Sequence, residues 1–363
     1  MRKVFGKIHL WLSIPAGILF SLICITGAML VFATEISEAV HPERYFVERA
    51  QGKPIPLNEL VPKVNTQLGG NSVNNVQIPS DPKRNYVMGL ENGKRVSAYV
   101  DPYTGNVIEI YSYMDSFFGK VMALHRWLLF GAKDLGRNIV GYITLLVVLI
   151  LISGIVIWWP KTKSQMKNRL VISSKKGSKR LFYDLHSSLG IYLVIGLLVL
   201  ALTGLNWSFE WYKHGFYAIF GAKVEQKGEE KGTKQEGKPI DYSQWEAALG
   251  NVKQKVSEYK SMTISDGNVS VAPLSRYGNE VRADKYTIDP ASGAITKVKL
   301  YCDAKKSNKI RGWIYSVHVG SWGGPATKIL TLLTALLGGT LPLTGYYIYY
   351  LKRKRKWKKN PIV

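Results

Sequence analysis

The chain has 363 residues, 46% of them hydrophobic, and a formal net charge of +24. Its two cysteines lie far apart, Cys24 inside an apolar run and Cys302 outside one. That usage excludes a disulfide framework, a thiolate metal cluster and covalent attachment through Cys-x-x-Cys-His.

Four apolar runs are each long enough to cross a bilayer, which takes about 20 residues. After a basic start over 1–7, the first span is read over 8–34. It is too long and too smoothly joined to the next segment for a signal peptide, and it lacks an Ala-x-Ala signal at its end, so it is read as retained. Residues 35–135 form a polar segment with turn signals at Gly52-Lys-Pro, Ser80-Asp-Pro and Glu91-Asn-Gly. Short alternating stretches between these turns predict a small antiparallel sheet with a helix. It ends on Val100-Asp-Pro-Tyr-Thr-Gly between two strands. The pattern Phe118–Phe130, carrying His125, predicts a helix at the outer membrane surface or dipping into it. The second span, 136–160, ends on Trp158-Trp159-Pro160, aromatic residues suited to an interface. A basic loop over 161–182 leads to the third span, 183–207, which carries His186. The second polar segment, 208–325, contains a charged, Gly-rich stretch over 225–238 that predicts a flexible insertion. It then repeats the strand, turn and strand as Ile288-Asp-Pro-Ala-Ser-Gly. Trp313–Trp322 carries His318, and the fourth span, 326–351, precedes a basic tail over 352–363.

Lys and Arg crowd the start, the loop and the tail. Beside spans, these blocks report topology rather than nucleic-acid binding, and place both termini and the loop in the cytoplasm. The polar segments then read as two small α+β extracytoplasmic domains.

The parts recur. His9 lies 17 residues before Thr26-Gly27, and His186 lies 17 before Thr203-Gly204. Ser153-Gly154 and Thr344-Gly345 close the other two spans. His125 matches His318, and Asp101 matches Asp289, at separations of 24 and 29 residues. Each copy starts and ends in the cytoplasm. The predicted fold is a four-helix membrane protein with an internal duplication, its parallel repeats related by an axis along the membrane normal.

Such an axis holds equivalent residues at equal depth. His9 and His186 then sit near the inner face, and His125 and His318 near the outer. Ionisable residues in spans are costly and usually functional. Two neutral imidazoles facing across a bundle suit the two axial positions of a haem. They suit zinc less well, since zinc wants four ligands. Interface anchoring is the plainer reading of a lone histidine, and the repeat-matched pairs argue against it. Lys7, Arg180, Arg126 and Arg311 are candidate partners for haem propionates, although Lys7 and Arg180 also fit the positive-inside bias. Gly17, Gly27, Ala28, Gly190, Gly196, Ala201 and Gly204 either admit a flat macrocycle or pack helices closely. The outer aromatics Trp127, Trp207, Trp211, Tyr212, Trp313 and Trp322 either stack on a substrate or form an interfacial belt. His41 and His214 read as surface residues.

The V-D-P-Y-T-G and I-D-P-A-S-G turns resemble the signature of the PepSY domain. The succession K-I-H-L-W-L-S, L-H-R-W-L, D-L-H-S-S-L-G and V-H-V-G-S-W-G-G resembles the PepSY-associated transmembrane proteins. These include inner-membrane ferric-siderophore reductases of the ferrioxamine reductase type. The resemblance covers nearly the whole chain and implies a b-type cytochrome of the bacterial inner membrane. Two non-covalent haem b groups would be bound, one by His9 and His186 and one by His125 and His318. Electrons would pass from the cytoplasmic side to a ferric siderophore or similar chelate outside, releasing ferrous iron. No flavin or nicotinamide domain is evident, so the donor would be separate, a quinol or a cytoplasmic reductase. Two other functions remain open: a non-enzymatic PepSY protein that binds or regulates a peptidase or other partner, and a siderophore permease. Few spans, broken only by Pro15 and Pro342, speak against the permease.

Overall fold

The computed structural model describes residues 1–50, 52–93, 95–130, 133–173, 177–225, 240–275 and 277–359. The predicted insertion at 225–238 lies, beyond Glu225, outside the described residues. The chain divides into a helical unit (residues 1–32, 120–222 and 314–363) and a sheet unit (33–119 and 223–313).

Among the described residues, four helices of the helical unit are long and apolar enough to cross a membrane: Arg2–Val31, Asp134–Trp158, Ser178–Trp207 and Gly324–Lys354. In hydrocarbon a backbone must satisfy its own polar groups, which an unbroken helix does. The helices outrun the apolar runs at basic ends. Lys and Arg are good helix formers whose stems can lie along an apolar surface while their charge reaches water. Pro15 and Pro342 lie inside continuous helices.

The spans pack in a ring. The first lies against the second and fourth, and the third also lies against the second and fourth. This leaves the first and third on a diagonal. Small and hydroxyl residues close the contacts: the Ser21 hydroxyl donates to the Gly339 carbonyl at 2.7 Å, and Gly196 faces the Thr334 side chain. Gly17 lies under the Tyr346 ring, whose hydroxyl donates to the Ile14 carbonyl at 2.7 Å. The third span departs from regular helix once, in a π turn over Leu185–Leu189 that contains His186. Such turns often mark functional positions.

In the sheet unit, eight antiparallel strands among the described residues form one sheet. They are β1 (Val73–Pro79), β2 (Tyr86–Leu90), β3 (Val96–Val100), β4 (Val107–Ser112), β5 (Ser261–Ser265), β6 (Asn268–Ala272), β7 (Asp284–Ile288) and β8 (Ile295–Lys299). Their order is β4-β3-β2-β1-β5-β6-β7-β8. The two polar segments, expected as two small domains, therefore share one sheet. Its seam is β1 against β5, from Asn75 opposite Ser265 to Pro79 opposite Ser261. Joining these strands removes two open edges, which would otherwise invite pairing with other chains. Helices Leu57–Gln67 and Trp245–Lys253 cover one face, burying Leu60, Val64, Trp245 and Leu249 against Val76, Met88, Met262 and Ile264.

The two Asp-Pro turns are built alike. Asp101 accepts from the Tyr103 N–H at 2.8 Å, and the Gly105 N–H returns to the Asp101 carbonyl at 2.8 Å. Asp289 accepts from the Ala291 N–H at 3.2 Å and the Ser292 hydroxyl at 2.6 Å, and Gly293 closes the loop at 2.9 Å. These hydrogen bonds, the Ser292 hydroxyl first, hold the Asp289 carboxyl below its usual range. Gly105 and Gly293 have φ of 73° and 70°, where a Cβ is strained. Both aspartates therefore serve the turn.

Candidate functional site

All four sequence-matched histidines belong to the helical unit, and each docks on a span that does not carry it. The Nδ1 of His9, on the first span, lies 3.0 Å from the Ile150 carbonyl and 3.1 Å from the Ser153 hydroxyl of the second. His186, in the π turn of the third, meets the Leu341 carbonyl and Thr344 hydroxyl of the fourth, each at 3.0 Å. His125 lies in helix Phe117–Trp127. Its Nδ1 is 2.9 Å from the Ile23 carbonyl and 3.3 Å from the Thr26 hydroxyl of the first span. His318 ends helix Lys306–His318. It meets the Thr203 hydroxyl of the third span at 3.0 Å and is hydrogen-bonded by the Leu200 backbone.

One receptor is thus used four times: a carbonyl, a Ser or Thr three residues later, and then glycine. The glycine lets the ring lie edge-on against the helix. A Cβ at Gly27, Gly204, Gly345 or Gly154 would stand 3.0, 3.2, 3.2 or 3.4 Å from the Cε1 of its histidine.

The receptor also fixes the tautomer. A carbonyl only accepts, so Nδ1 carries the proton. The hydroxyls of Ser153, Thr344, Thr26 and Thr203 give their own proton to carbonyls of their own helix, at 2.7, 2.8, 2.7 and 2.6 Å, and so offer Nδ1 a lone pair. Each Nε2 is left with a lone pair, and among the described residues no hydrogen bond engages it. An imidazole oriented through its other nitrogen is how proteins commonly prepare a metal ligand.

The rings then form two pairs across the diagonal. His9 and His186 have centroids 6.2 Å apart with planes at 84°. His125 and His318 are 6.3 Å apart at 51°. A metal–imidazole bond of about 2 Å on each side, with about 1.1 Å from ring nitrogen to ring centre, asks for roughly 6 Å between centroids. Among the described residues no third His, Cys, Asp or Glu joins either pair. The donor set is two neutral nitrogens, which matches axial ligation of a macrocyclic iron and not a closed tetrahedral zinc site. Burial holds the second pair neutral. It lowers His125, helped by the Arg126 charge, and it pushes His318 down to about 3, helped by His125 and Arg126.

The four basic candidates separate. Arg126 acts on both rings of the second pair, and its guanidinium lies 5.1 Å over the Trp127 ring. Arg180 is bound to the buried Asp184 at 2.8 Å. Lys7 and Arg311 are exposed. His41, 3.5 Å from Glu43, and His214 are exposed as well. Of the small residues singled out in the sequence, Gly27 and Gly204 face histidines, while Gly190 has nothing near it. In the sequence the four Ser/Thr-Gly dipeptides stand out as span endings only. Their recurrence in all four spans was the signal that they share a task.

The family described as PepSY-associated TM region matches residues 7–353, so the chain belongs to that family. Among curated proteins none matches the chain. Its four spans and this membership make it a multi-pass membrane protein.

Proposed function

We propose that the protein is a di-haem b-type oxidoreductase. It takes electrons from a quinol or soluble reductase on the cytoplasmic side and reduces a ferric siderophore or similar chelate on the outer side of the bacterial inner membrane. The observation that carries this reading is the two histidine couples, with ring centroids 6.2 and 6.3 Å apart and, among the described residues, no hydrogen bond to any Nε2. A bound haem would supply one-electron redox chemistry at each couple. The residues do the rest. His9 and His186 would hold the inner group and His125 and His318 the outer. The Ser/Thr-Gly receptors fix each ring's tautomer and plane, and Arg126 brings positive charge to the outer couple. Along the first span, His9 and Thr26 are 17 residues apart, about 25 Å of helix. That nearly spans a hydrocarbon core of about 30 Å.

The basic start, loop and tail support both termini being cytoplasmic. Reduction frees the iron because hard siderophore oxygens prefer the ferric ion. We further infer that the chain is a duplication. Each half supplies a span with a histidine, a helix, four strands with an Asp-Pro turn, a second histidine and a second span. The two halves would be related by an axis along the membrane normal, and the shared sheet would be a fused pair of PepSY-like domains.

The test is transmembrane reduction. The purified protein is placed in liposomes with dithionite trapped inside, and a ferric chelate and a ferrous-specific dye are added outside. Dye should develop with the wild type and fail with His9→Ala and His318→Ala. No dye with the wild type, or equal dye with the variants, overturns the reading.

A further inference from the structure

A cofactor at the outer couple would bring carboxylates with it, and Arg126 has no basic counterpart in the second half, where Val319 follows His318. Another pair of cations does recur. Arg137 stands 17 residues before Gly154 on the second span, and Lys328 stands 17 before Gly345 on the fourth. Those glycines belong to the receptors of the inner couple. A separation of 17 residues is about 25 Å of helix. Both cations therefore lie at the other end of their spans, on the side of the outer couple. Packing sets the same level. The residue before each cation touches the residue two places after an outer histidine. A Cβ on Gly136 would run into the Trp127 carbonyl, and the Thr327 hydroxyl donates to the Gly320 carbonyl at 2.5 Å. The Lys328 Nζ also lies 5.7 Å over the ring of Phe32, which caps the first span.

Arg137 shows what these cations await. One of its terminal nitrogens bonds Asp134 at 3.0 Å, a carboxylate that is 84% exposed. Its Nε is buried and has no hydrogen-bond partner among the described residues. An N–H of a charged group that is shut off from solvent and left unpaired is costly. An arginine that only reached for water or lipid phosphate would turn its donors outward. We infer that Arg137 and Lys328 bind the two carboxylates of the outer cofactor, one cation from each half of the chain. This inference rests on the di-haem reading. A guanidinium has enough N–H donors to keep Asp134 and still give Nε–H to a second carboxylate. Lys328 supplies a compact charge on a flexible stem. The sequence did not single these two residues out, because only the receptor glycines give them their register.

The test compares haem b with its dimethyl ester, which keeps the iron and the ring but has no carboxylate. Full-length protein is purified from haem-starved cells in the His9→Ala background, so that only the outer couple takes up the ring. Each compound is titrated and followed by Soret absorbance. The parent protein should bind haem b about tenfold or more tighter than the ester. Arg137→Met should weaken haem b binding by about tenfold and leave ester binding unchanged. Lys328→Met should act in the same direction, and it reads the same ratio if Arg137→Met does not fold. The double variant should bind both compounds alike. A merely structural role would weaken both compounds together. Such a parallel loss, or equal affinity for the two compounds in the parent, overturns the inference and leaves the histidine couples intact. Equal affinity is also the result if the guanidinium serves a lipid phosphate instead. A parent protein that takes up neither compound overturns the di-haem reading as well.

Discussion

Replacing Gly27 by alanine should damage the His125–His318 couple and spare the other. The new Cβ would stand 3.0 Å from the Cε1 of His125 and 3.4 Å from its Nδ1. Ordinary carbon contacts need about 3.5 to 4.0 Å, so the ring must retreat by roughly half an ångström. That stretches the 2.9 Å hydrogen bond to the Ile23 carbonyl beyond useful length. Losing it costs about 1 kcal/mol, and overpacking a tight site costs about 1 kcal/mol or more. Together these are about 2 kcal/mol, roughly thirtyfold in haem affinity at that couple. Gly154→Ala is the graded control. Its Cβ would sit 3.4 Å from the Cε1 of His9, close to an ordinary contact, so it should lose well under tenfold. Haem retained per chain after dialysis, read by a pyridine haemochrome assay, measures both. Haem retained in Gly27→Ala as in the wild type, or lost from Gly154→Ala as much as from Gly27→Ala, would show that these glycines do not set the ring positions.

Three further outcomes are expected. Ser153→Ala removes only one of two acceptors for the His9 proton, since the Ile150 carbonyl remains, and should weaken the inner site by about 0.5 to 1.5 kcal/mol; loss of the haem would contradict the tautomer argument. In the sheet unit, Leu60→Ala empties a fully buried position and should cost about 2 to 5 kcal/mol in thermal unfolding. Arg44 is 8% exposed and forms a two-bonded pair with Glu109 at 2.7 and 2.9 Å, with the guanidinium 4.3 Å over Tyr111. Glu109 is 38% exposed, so Arg44→Met should cost about 2 kcal/mol, less than a fully buried pair would. Unfolding that is unshifted in Arg44→Met would show the pair to be incidental.

Much of the helical unit was legible in the sequence. Apolar runs of span length and basic flanks are local signals, and the equal spacing from His9 to Thr26 and from His186 to Thr203 exposed the histidines. The span ends were less legible, because apolarity marks the hydrocarbon while the helix runs on through Arg2 or Lys354. The receptors were missed for a different reason. His9 meets Ser153, and His125 meets Thr26, across 144 and 99 residues. No local pattern says which helix a ring will reach. The β1–β5 seam escaped for the same cause, since Asn75 and Ser265 pair only in the folded sheet. The π turn at His186 leaves no mark in the residue pattern either.

In the proposed reading His9 pairs with His186 and His125 with His318, each couple holding one haem. A dithionite-minus-oxidised spectrum with haem quantified per chain tests it most directly, on the wild type and on His9→Ala, His186→Ala and their double variant. A b-type spectrum with two haems per wild-type chain is expected. Each single variant should lose one and the same haem, and the double variant no more than either. A colourless wild type, or a double variant that loses both haems while each single loses a different one, contradicts it.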